Sequence, residues 1–207
     1  MDGVLLASSP IHEAAYRQAL SALPIRHFDY RRLAGLRTMD GIRAVLTENG
    51  IALPEQQVDA LAAHKSGIAL QRIIAENPIV PGATQVLRSL SQTHKLGLAT
   101  SASPAAVNAF LDQNALRPWF QCVVHSGDVR RAKPSPEIFQ TAFLCLGLEP
   151  ANCLVVEDAT AGIQAAKSAG AAACGIPSTC SVTELEAAGA DWIIDSLEDL
   201  LELGARP

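Results

Sequence analysis

Two hydrophobic patterns divide the chain, and the change between them lies near residue 80. Between His12 and Asn77, apolar residues recur three and four positions apart, which is the spacing of one face of an α-helix, and no strand is predicted. The residues that carry this pattern are Ala15, Leu20, Leu23, Ile42, Val45, Leu46, Val58, Leu61, Ile68 and Ile73. We therefore predict a small helical bundle over residues 12–79.

After residue 80, short apolar runs alternate with amphipathic segments. Buried strands are predicted at 96–99, 122–124, 154–156, 172–176 and 192–194. Helices are predicted near 83–93, 104–114, 136–147, 161–169 and 182–188. Because such alternation is typical of a sheet covered by helices, the predicted fold class is α/β, a Rossmann-like parallel sheet with helices on both faces.

The order of the two patterns predicts two domains. Residues 1–6 are predicted to be the end of a first strand, so the helical bundle is inserted after that strand. We predict a core of residues 1–11 and 80–207 and a cap of residues 12–79. Open α/β sheets bind ligands at the carboxyl ends of their strands, so the cap is expected to cover the ligand site.

Composition narrows the range of partners. The 207 residues carry a formal net charge of -5 and no cluster of Lys and Arg, so we expect no nucleic-acid partner. No apolar run reaches the roughly 18 residues of a membrane helix, and we expect a cytoplasmic monomer or weak dimer with no membrane partner. The cysteines, odd in number and without a CxxC pair, are expected to be reduced thiols: Cys122, Cys145, Cys153, Cys174 and Cys180.

Four short polar stretches follow predicted strands. The first carries one carboxylate, and the second is uncharged. Asp2 and Gly3 form the first, which is also consistent with a plain turn. Thr100 and Ser101 form the second, just before a Ser-Pro pair that suits the start of a helix. Free amides at such a helix start bind phosphate, although a well-capped helix alone explains the same residues.

The other two stretches carry more charge. Pro134 disfavours the helical conformation of Lys133, so the lysine is expected to be held in one direction, unless it is simply a surface residue in a proline-rich turn. Glu157 and Asp158 directly follow the strand at 154–156. Adjacent carboxylates at a strand end favour a cation such as Mg²⁺, whereas acidic residues that open a helix are the alternative.

In this order the four stretches resemble the haloacid dehalogenase superfamily, whose motifs are DxDG, Thr or Ser, Lys-Pro and Glu-Asp. The runs AKPSPEIF and VVEDATAGIQAAKSAG resemble the branch that contains phosphoglycolate phosphatases, sugar-phosphate phosphatases and β-phosphoglucomutase. The resemblance covers nearly the whole chain. It implies an aspartyl-phosphate mechanism, Mg²⁺ as the cofactor and a small phosphorylated metabolite as the substrate.

The resemblance also implies roles for single residues. Asp2 matches the second aspartate of DxDG, the general acid and base, whose backbone carbonyl also reaches the metal. Thr100 matches the hydroxyl that holds the phosphoryl group, and Lys133 matches the lysine that offsets the charge on its oxygens. Glu157 and Asp158 match the acidic residues of the metal site.

Substrate contacts are expected from Ser101, beside Thr100, and from three residues of the cap. His12 matches a cap-hinge histidine, and Lys65 resembles a cap lysine, of the β-phosphoglucomutase group. The mutase arginine that grips the distal phosphate aligns with Thr38, and Arg37 is adjacent to it. The alternatives are a histidine in the first turn of a helix and two solvated helix faces.

The first aspartate of DxDG, the nucleophile, would precede Met1, where the sequence has no residue. We expect the chain as written to bind Mg²⁺ poorly and to hydrolyse no phosphate ester at a useful rate, and an added strand with an aspartate before Met1 to restore both. A start at an internal methionine of a longer protein and a catalytically dead binding protein both stay open. Among enzymes, a Mg²⁺-dependent phosphatase is favoured over a β-phosphoglucomutase-like mutase.

Overall fold

The computed structural model describes residues 1–203, which form an α/β fold. The helices are α1 (Ser9–Ala19), α2 (Thr38–Glu48), α3 (Glu55–Glu76), α4 (Ala83–Leu90), α5 (Pro104–Gln113), α6 (Glu137–Leu146), α7 (Thr160–Ser168), α8 (Val182–Ala187) and α9 (Asp199–Leu203). The strands are β1 (Gly97–Ala99), β2 (Cys122–Val124), β3 (Leu154–Glu157), β4 (Ala172–Gly175) and β5 (Trp192–Ile193). The α/β prediction is confirmed, and each element predicted after residue 80 is found within a few residues of its expected place. The short helix α9 was not predicted.

The strands are parallel, as predicted, but they form two sheets. One pairs β1 with β2 and the other has the order β3-β4-β5. The expectation of a strand at residues 1–6 is wrong, because this segment turns back on itself: the Gly3 N–H donates to the Leu6 carbonyl at 2.8 Å and the Leu5 N–H to that of Met1 at 2.8 Å. Gly3 has a φ of +69°, a left-handed conformation that interrupts extended backbone. The segment therefore supplies no ladder between β1 and β3.

Helices α1, α2 and α3 and the segments that connect them, which together we call the helical block, have a small core of their own. Its buried side chains are Tyr16, Leu20, Leu33, Ile42, Val45, Leu46, Val58 and Ala62. Burying a side chain of the Leu or Ile class stabilises the fold by about 1.5 to 3 kcal/mol. The block joins the rest of the chain through two paired segments, in which the Ala7 N–H donates to Pro78 and the Val80 N–H to Leu5, at 2.8 and 2.9 Å. The cap boundaries at residues 12 and 79 stay a prediction.

Cysteine pairing differs from the expectation of reduced thiols. Cys122 in β2 and Cys145 in α6 form a disulfide with Cα atoms 6.0 Å apart, a usual separation for this bond. The two residues meet because α6 packs on β2, a proximity that their spacing in the sequence does not show. Cys153, Cys174 and Cys180 are free thiols, as expected. None of the helices in the described part of the chain is long and apolar enough to cross a bilayer.

Candidate active site

The carboxyl ends of β1 and β3 and the turn before α6 bring four polar side chains together. Thr100 follows β1, Lys133 precedes α6, and Glu157 and Asp158 end and follow β3. Their exposed fractions are only 4%, 5%, 6% and 7%, in that order. With Asp2 they line a cavity of about 470 Å³ to which the helical block also contributes. A cavity of this size suits a small metabolite.

Lys133 and Glu157 form a buried ion pair at this cavity. The Lys133 ammonium donates to the Glu157 carboxylate, and it lies 4.9 Å from the centre of the Phe139 ring. The two side chains are 4% and 8% exposed. A buried charge without a partner costs several kcal/mol, so each member of the pair is needed to keep the other in place.

The Asp158 carboxylate is held between two loops. It lies directly against Gly3, where a Cβ atom would overlap it, and its Oδ2 accepts a hydrogen bond from the Thr179 hydroxyl. Burial, and then repulsion from the neighbouring Glu157, raises the pKa of Asp158 to about 6. A cation bound beside a carboxyl group with a raised pKa would stabilise its ionised form, so the position suits a cation.

The donor groups around Asp158 fit a Mg²⁺ ion. Within residues 1–203, no set of three or more His, Cys, Asp or Glu side chains is grouped to hold a metal. The Glu157 carboxylate pairs with Lys133, and the Asp2 carboxylate contacts His12. Mg²⁺, however, is commonly bound by one or two carboxylates together with waters and substrate phosphate. The Asp158 carboxylate and the Asp2 carbonyl, which accepts no hydrogen bond from any described residue, supply such a set.

The Asp2 carboxylate is the end of a chain of hydrogen bonds that reaches the helical block. Its Oδ1 accepts from the Ser8 hydroxyl at 2.6 Å and is 3.0 Å from Nε2 of His12, while Nδ1 of His12 is 3.0 Å from the Lys65 ammonium. Burial by itself raises the pKa of Asp2, but the electrostatic attraction and hydrogen bond of His12, together with the hydrogen bond of Ser8, outweigh it and hold the pKa well below its usual value. Asp2 is therefore ionised in this arrangement.

The same chain determines the proton positions on His12. The ammonium of Lys65 can only donate, so Nδ1 of His12 accepts, and Nε2 carries the proton that is donated to Asp2. Lys65 is 4% exposed, and burial lowers its pKa to about 8, although Asp2 acts in the opposite direction. The His12–Lys65 pair thus shares one positive charge opposite Asp2.

Ser101 and Arg37 also line the cavity, but their polar atoms join the helical block to the core. The Ser101 hydroxyl donates to the carbonyl of Gly35 at 2.7 Å. The Arg37 guanidinium donates to backbone carbonyls of the loop after β2, with one bond of 3.0 Å to Arg130. A role of either residue in substrate binding stays a prediction.

Three hydroxyl residues of the site were missed by the sequence analysis. Ser8 holds Asp2, Thr179 holds Asp158, and Ser9 lies 2.6 Å from the Thr179 hydroxyl oxygen. Because Thr179 donates its only hydroxyl proton to Asp158, Ser9 must donate to Thr179. No local sequence signal identifies these residues, since Ser and Thr are common in loops and Ser9 is 170 positions from its partner.

Comparison with known proteins agrees with this geometry. The model of the haloacid dehalogenase-like hydrolase family matches residues 1–170. The fructose-1-phosphate phosphatase YqaB of Escherichia coli is 29% identical over 172 residues, which cover 82% of this chain and 89% of that protein. The β-phosphoglucomutase of Bacillus subtilis is 29% identical over 212 residues, covering 98% and 90%. A hydrolase from Pseudomonas syringae has a similar crystal structure, with a TM-score of 0.86, 27% identity, and coverage of 97% of this chain and 93% of that one.

The family match extends from the Asp2-Gly3 pair through the end of α7, and it includes the four motifs and the helical block. The solved relative covers the same elements in three dimensions. The chain belongs to the haloacid dehalogenase-like hydrolase family.

Proposed function

We propose that this protein is a Mg²⁺-dependent phosphatase of a small phosphorylated metabolite. The observation that carries the proposal is the meeting of Thr100, Lys133, Asp158 and Asp2 at one cavity, three of them less than a tenth exposed. A hydroxyl, an ammonium and carboxylates in that arrangement match the groups that bind and transfer a phosphoryl group. The name of the related fructose-1-phosphate phosphatase supports the same substrate class.

In the proposed reaction, the Thr100 hydroxyl and the Lys133 ammonium hold the phosphoryl oxygens. The residues that would hold Mg²⁺ are Asp158, through its carboxylate, and Asp2, through its carbonyl. When bound there, Mg²⁺ supplies charge neutralisation at the phosphoryl oxygens. Lys133 is already fixed by Glu157, so little reorganisation of its charge is needed when substrate binds.

Asp2 is the proposed proton carrier. Its Oδ1 is held by Ser8 and His12, which leaves Oδ2 to exchange a proton with the leaving-group oxygen and then with the attacking water. The proposed nucleophile is an aspartate at the position before Met1. Its carboxylate forms a bond to phosphorus as the ester bond breaks. Asp2, ionised in the substrate-free site, takes up a proton from solvent on Oδ2 when the phosphate binds and gives it to the leaving oxygen. The Asp2 carboxylate then accepts a proton from the attacking water, which breaks the bond between phosphorus and the nucleophile and releases inorganic phosphate.

The experiment that tests the proposal is a phosphate-release assay with a panel of sugar and polyol monophosphates. The chain of 207 residues and a chain extended by an aspartate-bearing strand before Met1 are compared, each with Mg²⁺ and with EDTA. We expect Mg²⁺-dependent release of stoichiometric phosphate from the extended chain and far less from the shorter one. Equal and substantial release from both would show that another residue is the nucleophile.

The alternative enzyme is a mutase, and the full-length similarity to a β-phosphoglucomutase is the observation that favours it. A mutase requires catalytic amounts of a bisphosphate and releases little inorganic phosphate, so the same assay separates the two. A catalytically dead binding protein would retain phosphate near Thr100 and Lys133 and release none from any ester in either chain.

A further inference from the structure

The wall of the cavity that the helical block supplies decides what part of a substrate can lie beyond the phosphoryl group. Most of this wall is apolar, with Leu33, Leu36, Met39, Ala62 and Leu70 among its side chains. Besides His12, the charged side chains that the block adds to the cavity are Arg37, Asp59 and Lys65. Whether these charges are available to a ligand therefore sets the charge that the ligand can carry.

Arg37 has no free edge with which to grip an anion. Its Nη2 donates to two carbonyls, that of Ser126 at 2.9 Å and that of Val129, and Nη1 donates to the Arg130 carbonyl at 3.0 Å. A guanidinium grips a carboxylate or a phosphate through two parallel N–H groups, and either edge of the fork that does so includes an Nη2 hydrogen. In this arrangement Arg37 cannot bind a second anionic group of the substrate in that way.

The positive charge of Lys65 is balanced within the site. Its ammonium donates to Nδ1 of His12, whose Nε2 donates to Asp2, and it lies 4.3 Å from the centre of the Tyr16 ring. The chain of hydrogen bonds places this charge opposite the Asp2 carboxylate, at the end of the cavity where the phosphoryl chemistry is proposed. The Lys65 ammonium is therefore not placed to bind a carboxylate or phosphate at the far end of a substrate.

The remaining charge of the wall is negative. Asp59, on α3, lines the cavity, is exposed, and takes part in none of the ion pairs found within residues 1–203. A carboxylate in this position repels an anionic substrate tail and attracts a cationic one.

On the basis of the proposed phosphatase function, we infer that the substrate is a monophosphate whose remainder is uncharged or cationic, as in polyhydroxy and amino compounds. Esters that carry a carboxylate or a second phosphate beyond the phosphoryl group are poor ligands, because the wall offers them one negative charge and no available guanidinium edge. The inference separates a sugar-monophosphate substrate from a phosphoglycolate-type substrate, and it disfavours the bisphosphate that a mutase requires.

Three esters of similar size provide the test: 2-hydroxyethyl phosphate, phosphoethanolamine and phosphoglycolate, whose tails are neutral, cationic and anionic. Glucose 6-phosphate and glucose 1,6-bisphosphate form a second, larger pair. For each ester, kcat/KM is measured by phosphate release from the chain extended before Met1, and affinity is measured by calorimetry with Mg²⁺ present. We expect the neutral and cationic esters to exceed the anionic ones by about tenfold or more in affinity and in kcat/KM, which corresponds to at least about 1.4 kcal/mol.

Variants locate the cause of the preference. Asp59→Asn is expected to remove the advantage of phosphoethanolamine over 2-hydroxyethyl phosphate. Ala63→Lys adds a cation to the same wall and is expected to improve phosphoglycolate several-fold, whereas the uncharged Ala63→Gln retains the wild-type order. Arg37→Ala is expected to leave the order of the esters unchanged.

The outcomes distinguish this inference from the proposed function. Phosphoglycolate or the bisphosphate binding as well as the neutral esters, or a selective loss of either in Arg37→Ala, overturns the inference and leaves the phosphatase proposal standing. Hydrolysis of none of the esters contradicts the phosphatase proposal, and the order of the calorimetric affinities then decides the inference by itself.

Discussion

Replacing Lys133 by Met separates the structural role of this lysine from its proposed chemical role. Methionine has a side chain of similar length without a charge, so it can keep the contact with Phe139 while it removes the partner of Glu157. The Glu157 carboxylate, 8% exposed, is then left beside Asp158 without a cation. Removing one member of a buried ion pair typically costs about 3 to 5 kcal/mol, and we expect a loss of that size in the free energy of unfolding.

The second substitution, Glu157→Gln, turns this into a quantitative test. The double variant contains neither the unpaired Glu157 carboxylate nor the unpaired Lys133 ammonium, so it should be clearly more stable than the sum of the two single losses implies, by about 2 kcal/mol or more. Urea unfolding of the four proteins in EDTA measures this coupling. Single losses that simply add, within about 0.5 kcal/mol, would show that the two side chains do not interact as the structure indicates.

Turnover of the same four proteins tests the chemical role of Lys133. It is measured in whichever of the two chains, the one of 207 residues or the extended one, hydrolyses the ester. We expect Lys133→Met to lower kcat about 100-fold to 1,000-fold, as loss of a charge-stabilising donor typically does, and the double variant to stay as slow although it is folded. A double variant with wild-type kcat would refute the assignment of Lys133 to the phosphoryl oxygens.

Three further predictions concern the surroundings of the two buried carboxylates. The pKa of Asp158 is about 6 in the folded state against an ordinary value of 3.8, so the folded protein binds more protons between these values. The free energy of unfolding in EDTA should therefore fall by about 2 to 3 kcal/mol as the pH rises from about 4 to about 6, and urea titrations should show no such fall in Asp158→Asn. Thr179→Val should weaken Mg²⁺ binding about tenfold by calorimetry, because it removes the hydrogen bond that orients Asp158, and Thr179→Ser should retain it. Equal affinities in all three proteins would exclude this role. Gly162→Ala, which in an exposed helix would stabilise by up to about 1 kcal/mol, should instead lower the melting temperature, since the new Cβ would overlap the Glu157 carboxylate; a higher melting temperature in calorimetric scans would contradict this.

The elements of the fold were largely predictable from local pattern. The runs at 96–99 and 122–124 became β1 and β2 within a residue of their expected bounds, because period and length depend on neighbours in the sequence. The first six residues were not predictable in the same way. Their apolar composition suits a strand, but the left-handed Gly3 and the bonds to Met1 and Leu6 turn them back.

The candidate site was predictable only in its strand-end residues. Thr100, Glu157 and Asp158 lie at the carboxyl ends of β1 and β3 and line one cavity, as expected for parallel strands. Lys133 reaches the same cavity from the turn before α6. What each residue contacts could not be inferred. Arg37 was expected to contact a substrate, but its guanidinium donates hydrogen bonds to backbone carbonyls around 93 positions away in the sequence.

The sequence by itself determined the α/β class, the helical block and the four motifs, because these depend on periodicity and on residue types within a few positions. The tertiary structure alone decided which partners complete the site: Ser9 and Thr179 for Asp158, the His12–Lys65 pair for Asp2, and Cys145 for Cys122. Each of these pairings joins residues 21 to 170 positions apart or spans the helical block and the core. Such contacts follow from the packing of whole elements, and no local pattern records how those elements meet.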